Sequence, residues 1–330
     1  MKRRDVLHLP VATLAAGCFG LTAAMAGAQP ADPNFPTRPI RVLVGFTAGG
    51  STDTPMRVLA ANAAKILGQP VVIENKPGAA GVIPAQLLQS SGADGYTIAV
   101  IPQGVYRAPY TSNISWDPAQ LSYIIGLSGY VFGIAVPADS PIRTIADYVA
   151  YARAHPGELS YSTPGSLTTN HLTMEQFARL TQTRLNHVPF KGTPESLQAV
   201  MAGHVMSAAE TSGWVPYVEA GKLRLLAVWS DKRMPRFAAV PTLKESGINL
   251  VQTSPWGLAA PPHTPPAVVA RLHDAFKRAM EQPNFREVLS KYDMEPAYLS
   301  SEAYRRYAIA AMAREHEVLK QIGFTRSGAN

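Results

Sequence analysis

The residues with most capacity for chemistry lie in Ala48-Gly49-Gly50-Ser51-Thr52, between an apolar run at 40–46 and a segment opening with Asp53 and Pro55. Backbone N–H groups at such a turn, backed by the positive end of a helix dipole, can hold an anion without a basic side chain. The same glycines serve any abrupt reversal from strand to helix, so a purely structural reading stands beside the binding one. Spacing excludes two phosphate loops. No lysine follows Gly50 before Lys65, as a Walker A loop would need, and Gly45, Gly49 and Gly50 do not make G-x-G-x-x-G. Three more polar turns follow. Pro102-Gln103-Gly104 ends one apolar run; the stretch Thr163-Pro164-Gly165-Ser166-Leu167-Thr168-Thr169-Asn170 opens a helix at His171; and Lys191-Gly192-Thr193-Pro194 offers Thr193 as the cap of a helix begun by Pro194.

Enzymatic constellations are missing from the sequence. The histidines at 155, 171, 187, 204, 263, 273 and 316 show no H-x-x-x-H or H-E-x-x-H spacing, there is no G-x-S-x-G elbow, and no carboxylate pair is spaced for acid/base work. His171, near Ser166, Thr168 and Glu175, is the one candidate base, against a packed or capping role at a first helical turn. No cofactor or metal site is expected.

The elements that must position these turns alternate. Apolar runs at 40–46, 71–74, 96–101, 133–137, 159–162, 185–190, 205–209, 223–229 and 257–261 read as strands, with helical segments between them. In the first helix Met56, Leu59, Ala60, Ala63, Ile66 and Leu67 make one apolar face, with Asp53 as N-cap and Gly68 as C-cap. Short connections predict parallel sheets whose carboxyl ends gather the glycine turns on one edge, where ligands bind. The runs at 133–137 and 257–261 are expected to join two α/β domains, 29–137 plus 255–330 and 138–254, and a double crossing permits hinge closure. The last helix, about 300–322, is expected to pack on the first domain.

The 330 residues, 46% of them apolar, suffice for two cores. Lys2-Arg3-Arg4, a modestly apolar stretch and Ala26-Gly27-Ala28 read as a signal peptide over 1–28, cleaved after Ala28. Sec and twin-arginine export both stay open. Cys18, the single cysteine, lies in a poor lipoprotein box with Ala15 at a position that favours a larger residue, so periplasmic release is expected over a lipid anchor. Cleavage would take the formal charge from +7 to +5 and leave no cysteine for a disulfide, nucleophile or metal. The basic residues are scattered, so no nucleic-acid partner is expected.

Taken together, FPTRPIRVLVGFTAGGSTD at 35–53, VVIENKPGAAG at 71–81, ADGYTI at 93–98, YSTPGSLTTNHLTMEQF at 161–177, VPFKGTPESLQAVMAGHV at 188–205, AGKLRLLAV from 220 and VPTLKESG up to 247 resemble the extracytoplasmic solute receptors of tripartite tricarboxylate transporters, often called Bug receptors. The resemblance implies a type II periplasmic-binding-protein fold: two α/β domains, two crossover strands and a cleft for a small organic carboxylate held by amides and hydroxyls. It implies a monomer that serves integral-membrane transporter subunits, or in an alternative reading a sensor kinase. A divergent hydrolase on the same fold is the remaining alternative. On matching positions the expected ligand-binding residues are Phe46, Ala48, Gly49, Gly50, Ser51, Thr52 and Gln103 in one domain, and Thr163, Thr168, Asn170, Lys191, Gly192, Thr193 and Glu210 in the other. Departures from the family's habit are Leu167 for a common glycine, and Met206 and Glu210 for common aspartates. Leu167 would reshape the pocket; Glu210 would disfavour a second anionic group and welcome an amine, or else pair with a base or cap the next helix. Phe46, Tyr106, Phe190 and Trp214 are candidates for either pocket wall or core.

Overall fold

The structure, a computed structural model, describes residues 34–324; the expected signal peptide and Cys18 lie outside the described residues. The chain opens with β1 (Ile40–Val44), α1 (Asp53–Leu67), β2 (Val71–Asn75), α2 (Ile83–Leu88), β3 (Thr97–Ile101), α3 (Gln103–Thr111) and β4 (Ser122–Tyr130). Next come β5 (Phe132–Pro137), α4 (Ile145–Ala154), β6 (Ser160–Thr163), α5 (Thr169–Thr181), β7 (Asn186–Pro189), α6 (Thr193–Met201), β8 (Ser207–Thr211), α7 (Val215–Glu219) and β9 (Leu223–Val228). It ends with β10 (Ser254–Ala260), α8 (Pro266–Met280), α9 (Pro283–Lys291), β11 (Pro296–Leu299) and α10 (Ser301–Gln321). A six-stranded sheet has the order β11-β4-β10-β3-β1-β2, and a five-stranded sheet the order β7-β6-β8-β5-β9. Each defines one lobe.

Both sheets are mixed, where sequence periodicity pointed to parallel ones. β1 pairs in parallel with β2 and β3, and β6 with β7 and β8, but β10 runs antiparallel to β3 and β4, and β5 antiparallel to β8 and β9. The edge strand β11 is also antiparallel to β4, and of the antiparallel strands β5 and β10 belong to the passages between lobes. β4 leaves the first sheet at Tyr130, Val131 turns the chain, and β5 enters the second; β10 brings it back from 251–253. The expected boundary after 137 is therefore displaced, because 132–137 bonds to β8 and β9 of the second sheet.

Aromatic rings fill this double crossing. Tyr130 stacks on Trp256 at 5.7 Å and Phe132 on Trp229 at 5.2 Å, joined by an edge contact of 6.3 Å between Tyr130 and Phe132. Such buried rings give the crossing a packed seat. On one face of the first sheet, α1 buries Met56, Leu59, Ala60, Ala63 and Leu67, and Gly68 ends it with φ +72°. On the other face α10 inserts Tyr304, Ala308 and Ala311 against α3, β3 and β4. The Tyr304 hydroxyl donates to the Ile101 carbonyl at 3.2 Å.

Candidate functional site

Four helices begin at the gap between the lobes. α1 follows Gly50-Ser51-Thr52, α3 follows Pro102, α5 follows Thr168, and α6 starts at Thr193. First-turn N–H groups have no intrahelical acceptor, so these starts turn unsatisfied donors and positive dipole ends toward one space. The cavity there, counting its open mouth, leaves about 470 Å³ unfilled by atoms. Gly50, Ser51, Thr52 and Gln103 line it from the first lobe, Thr168, Thr169, Asn170, Thr193 and Thr211 from the second, and Tyr130 and Phe132 from the crossing. No lysine or arginine is among the lining residues.

Local bonding holds each turn. Asp53 is the first helical residue and not the N-cap; that position is Thr52, whose side chain caps nothing. The Asp53 carboxylate instead reaches back to accept from the Gly49 amide at 2.9 Å, from Asn75 Nδ2 at 2.8 Å and from Arg57 at 2.8 and 3.0 Å. Burial alone would raise its pKa, but these donors, Arg57 foremost, hold it below the usual carboxylate range. Gly49 has φ +80°, a left-handed conformation that suits glycine. Thr52 Oγ1 also lies 2.7 Å from the Tyr130 hydroxyl, which ties the turn to the crossing strand β4.

In the second lobe the Thr168 hydroxyl caps α5 by accepting from the His171 amide and donates to the Gly165 carbonyl. Asn170 Nδ2 donates to the Ala209 carbonyl at 2.9 Å. His171 accepts from the Leu167 amide through Nδ1 at 3.1 Å and stacks on His187 at 4.0 Å. Only a neutral ring can accept in this way, and burial lowers the pKa of both: His187 falls to about 3, helped by His171. His171 thus positions a loop, the packed role weighed against that of a base.

Six of the fourteen expected site residues do not line the cavity. Ala48 and Gly49 are exposed at the outer rim. Thr163 is buried behind the loop, its hydroxyl paired with His187 Nε2 at 2.7 Å and with the Gly165 carbonyl. Lys191 is exposed, since it follows β7, the edge strand, and its ammonium stays in water. Gly192 sits under Thr47 of the other lobe, and Thr193, expected as a helix cap, is the first helical residue with its hydroxyl turned to Glu210. Glu210 itself is fully buried beneath the cavity floor. The other eight, Phe46, Gly50, Ser51, Thr52, Gln103, Thr168, Asn170 and Thr193, do line it. Leu167 adopts φ +59° and is not a lining residue; Tyr106 and Trp214 are core, and Phe190 packs partly buried in the second lobe.

Sequence reasoning missed Tyr130, Phe132, Thr211 and Ser254 among the lining residues, while Thr169 lies in the 163–170 stretch it did single out. It also missed Arg107. This arginine is buried on α3, donates to Glu315 of α10 at 2.7 Å, and crosses the cleft to the Leu167 carbonyl at 2.7 Å and Thr169 Oγ1 at 3.3 Å. Gln103 is held at both ends, donating to Glu315 at 2.8 Å and accepting from the Tyr307 hydroxyl at 3.0 Å. Two further bonds span the cleft, Thr47 to Glu195 at 3.0 Å and Ser51 to Thr211 at 2.7 Å. The lobes are therefore closed on one another.

Two α/β lobes, a double crossing and a cleft of helix starts define a solute-binding protein of the periplasmic type. Residues 56–324 match the tripartite tricarboxylate transporter family receptor, TctC, and the chain belongs to that family. It is 55% identical over 328 residues to a protein of the gbd 5′ region of Cupriavidus necator, covering 99% of this chain and 100% of that one. Among solved structures it is similar to R. palustris Rpa4515 with adipate, at TM-score 0.83 and 30% identity over 88% of this chain and 99% of that one. A second is MatC of Rhodopseudomonas palustris with bound malate, at TM-score 0.80 and 27% identity over 86% and 100%. The family binds substrates and does not transform them. Among the described residues no helix is long and apolar enough to cross a membrane.

Proposed function

We propose that this chain is a periplasmic receptor that captures a small carboxylate by closure of its lobes and delivers it to the membrane subunits of a tripartite tricarboxylate-type transporter. The observation that carries this reading is the convergence of four helix starts, from both lobes, on a cavity that no basic side chain lines. Amides and hydroxyls there can neutralise a carboxylate at each end, and a ligand touching both lobes favours the closed state by its differential affinity. The adipate and malate bound by two related structures support the same ligand class.

A thermal-shift screen of the protein from Gln29 onward against C4 to C6 dicarboxylates, tricarboxylates, aromatic carboxylates, amino acids and sugars tests it. A ligand at about 100 times its Kd adds about 2.7 kcal/mol, a rise of roughly 4 °C for a chain of this size. Shifts confined to carboxylates are expected. Shifts with amines or sugars alone would refute the reading.

A further inference from the structure

A buried carboxyl group below the cleft ends a chain of hydroxyls that reaches the opposite lobe. Glu210 on β8 is fully buried; its Oε2 accepts from Thr193 Oγ1 at 3.0 Å and from the Thr211 amide at 3.1 Å, while Oε1 has no partner. Thr193 Oγ1 lies 3.2 Å from Thr211 Oγ1, which lies 2.7 Å from Ser51 Oγ in the first lobe. In both hydroxyl pairs either oxygen can donate. Thr193, Thr211 and Ser51 line the cavity, and Glu210 does not.

The protonation of Glu210 sets the direction of donation. An ionised carboxylate only accepts, so Thr193 donates to it, and the charge polarises the chain from Ser51 through Thr211 and Thr193 to Glu210. Lone pairs then face the cavity. A proton on Oε2 reverses the order, and the Ser51 hydrogen is free to point at a ligand. Oε1 becomes a neutral carbonyl oxygen, whose missing partner costs far less than that of a buried charge. An anion in the cleft favours the reversed order twice, because it needs donors and because a buried negative charge would repel it.

We propose that Glu210 is the proton-holding end of this chain, and that the receptor takes up its carboxylate with Glu210 protonated and Ser51 donating to the ligand. The proposal rests on the carboxylate reading above. The groups facing Glu210 offer no compensating cation. They are the Thr193 and Ser196 hydroxyls and the Glu195 carboxylate from α6, the Thr211 amide from β8, Trp214, whose indole N–H donates to the Glu210 backbone carbonyl, and Gly133 on β5. The Ser196 hydroxyl donates to Ser162 Oγ at 2.8 Å, which leaves Oε1 unserved. Burial pushes the Glu210 carboxyl up to about 8, against the pull of the nearby Ser196 hydroxyl and of its Thr193 and Thr211 donors and with a push from Glu195.

Infrared spectra of the carboxyl region and calorimetry with adipate and malate, between about pH 6.5 and about pH 9.5, test this in the wild type and Glu210→Gln. Both ligands are ionised throughout, so any slope belongs to the protein. A carboxylic-acid band is expected at the acidic end, absent from Glu210→Gln and fading above about pH 8. Affinity should be level below that point and fall by up to about tenfold per pH unit above it, with no such fall in Glu210→Gln. Thr193→Val, which cuts the chain with Glu210 in place, should weaken binding about tenfold at the acidic end, and Thr193→Ser should restore it. A missing band, or a slope that survives in Glu210→Gln, overturns the proposal. A protein that binds amines or sugars but no carboxylate overturns the carboxylate reading and this proposal with it, whereas a missing band beside intact carboxylate binding overturns this proposal alone.

Discussion

Arg107 and Glu315 carry opposite charges in a place with almost no water, their side chains 2% and 6% exposed, and each is saturated by neighbours. Their attraction does not by itself guarantee stability, since both ions lose hydration, but removing one partner leaves the other buried and unpaired. Arg107→Met is expected to lower the unfolding free energy by about 3–5 kcal/mol, and adding Glu315→Leu to recover most of the loss, as read by denaturant titration. An undiminished stability in Arg107→Met would show that the pair holds nothing. Neither residue was legible as a pair, because 208 positions separate them in the chain. Lys191 shows the converse. It stands in the right segment, yet nothing in its neighbours' identities says that it faces solvent.

At the scale of elements, the segment leading into α6 meets the other lobe most closely at Gly192. A Cβ there would lie 2.0 Å from Thr47 Oγ1 and 3.2 Å from the Thr47 backbone nitrogen. Its φ is 180°, open to any residue, so the glycine answers to the opposing lobe and not to its own backbone. Gly192→Ala should therefore leave the melting temperature of the ligand-free protein within about 1 °C and weaken carboxylate binding at least about tenfold by calorimetry. Equal affinity would mean that closure does not bring these surfaces together. The helices with both ends marked were legible, α1 above all, as were the short parallel strands. β4 was not. It is buried along nearly its whole length and so has no alternation, and Gly126 reads as a turn although it makes room for Leu299. α3 was hidden in the same way, with Pro109 inside it and Gly104 small because the Ala80 carbonyl approaches within 2.3 Å of where a Cβ would stand.

For the whole molecule, the turns around the cleft were legible as helix starts gathered at one place, and eight of the expected residues line the cavity. What joins the lobes was not: the Ser51 to Thr211 bond, the Thr47 to Glu195 bond and the Arg107 clamp each link distant parts of the chain. The second lobe also bears a larger open groove between α4 and residues 239–248, with Arg143 and Arg153 at its walls. Unlike the interlobe cavity, this groove would offer an anion basic side chains. A crystal structure with the strongest carboxylate from the screen decides between the two. The expected electron density lies between the 50–52 turn and the start of α5, with carboxylate oxygens on amides of both lobes and on Ser51. Density in the groove of Arg143 and Arg153, with the interlobe cavity free of ligand, would contradict capture by closure.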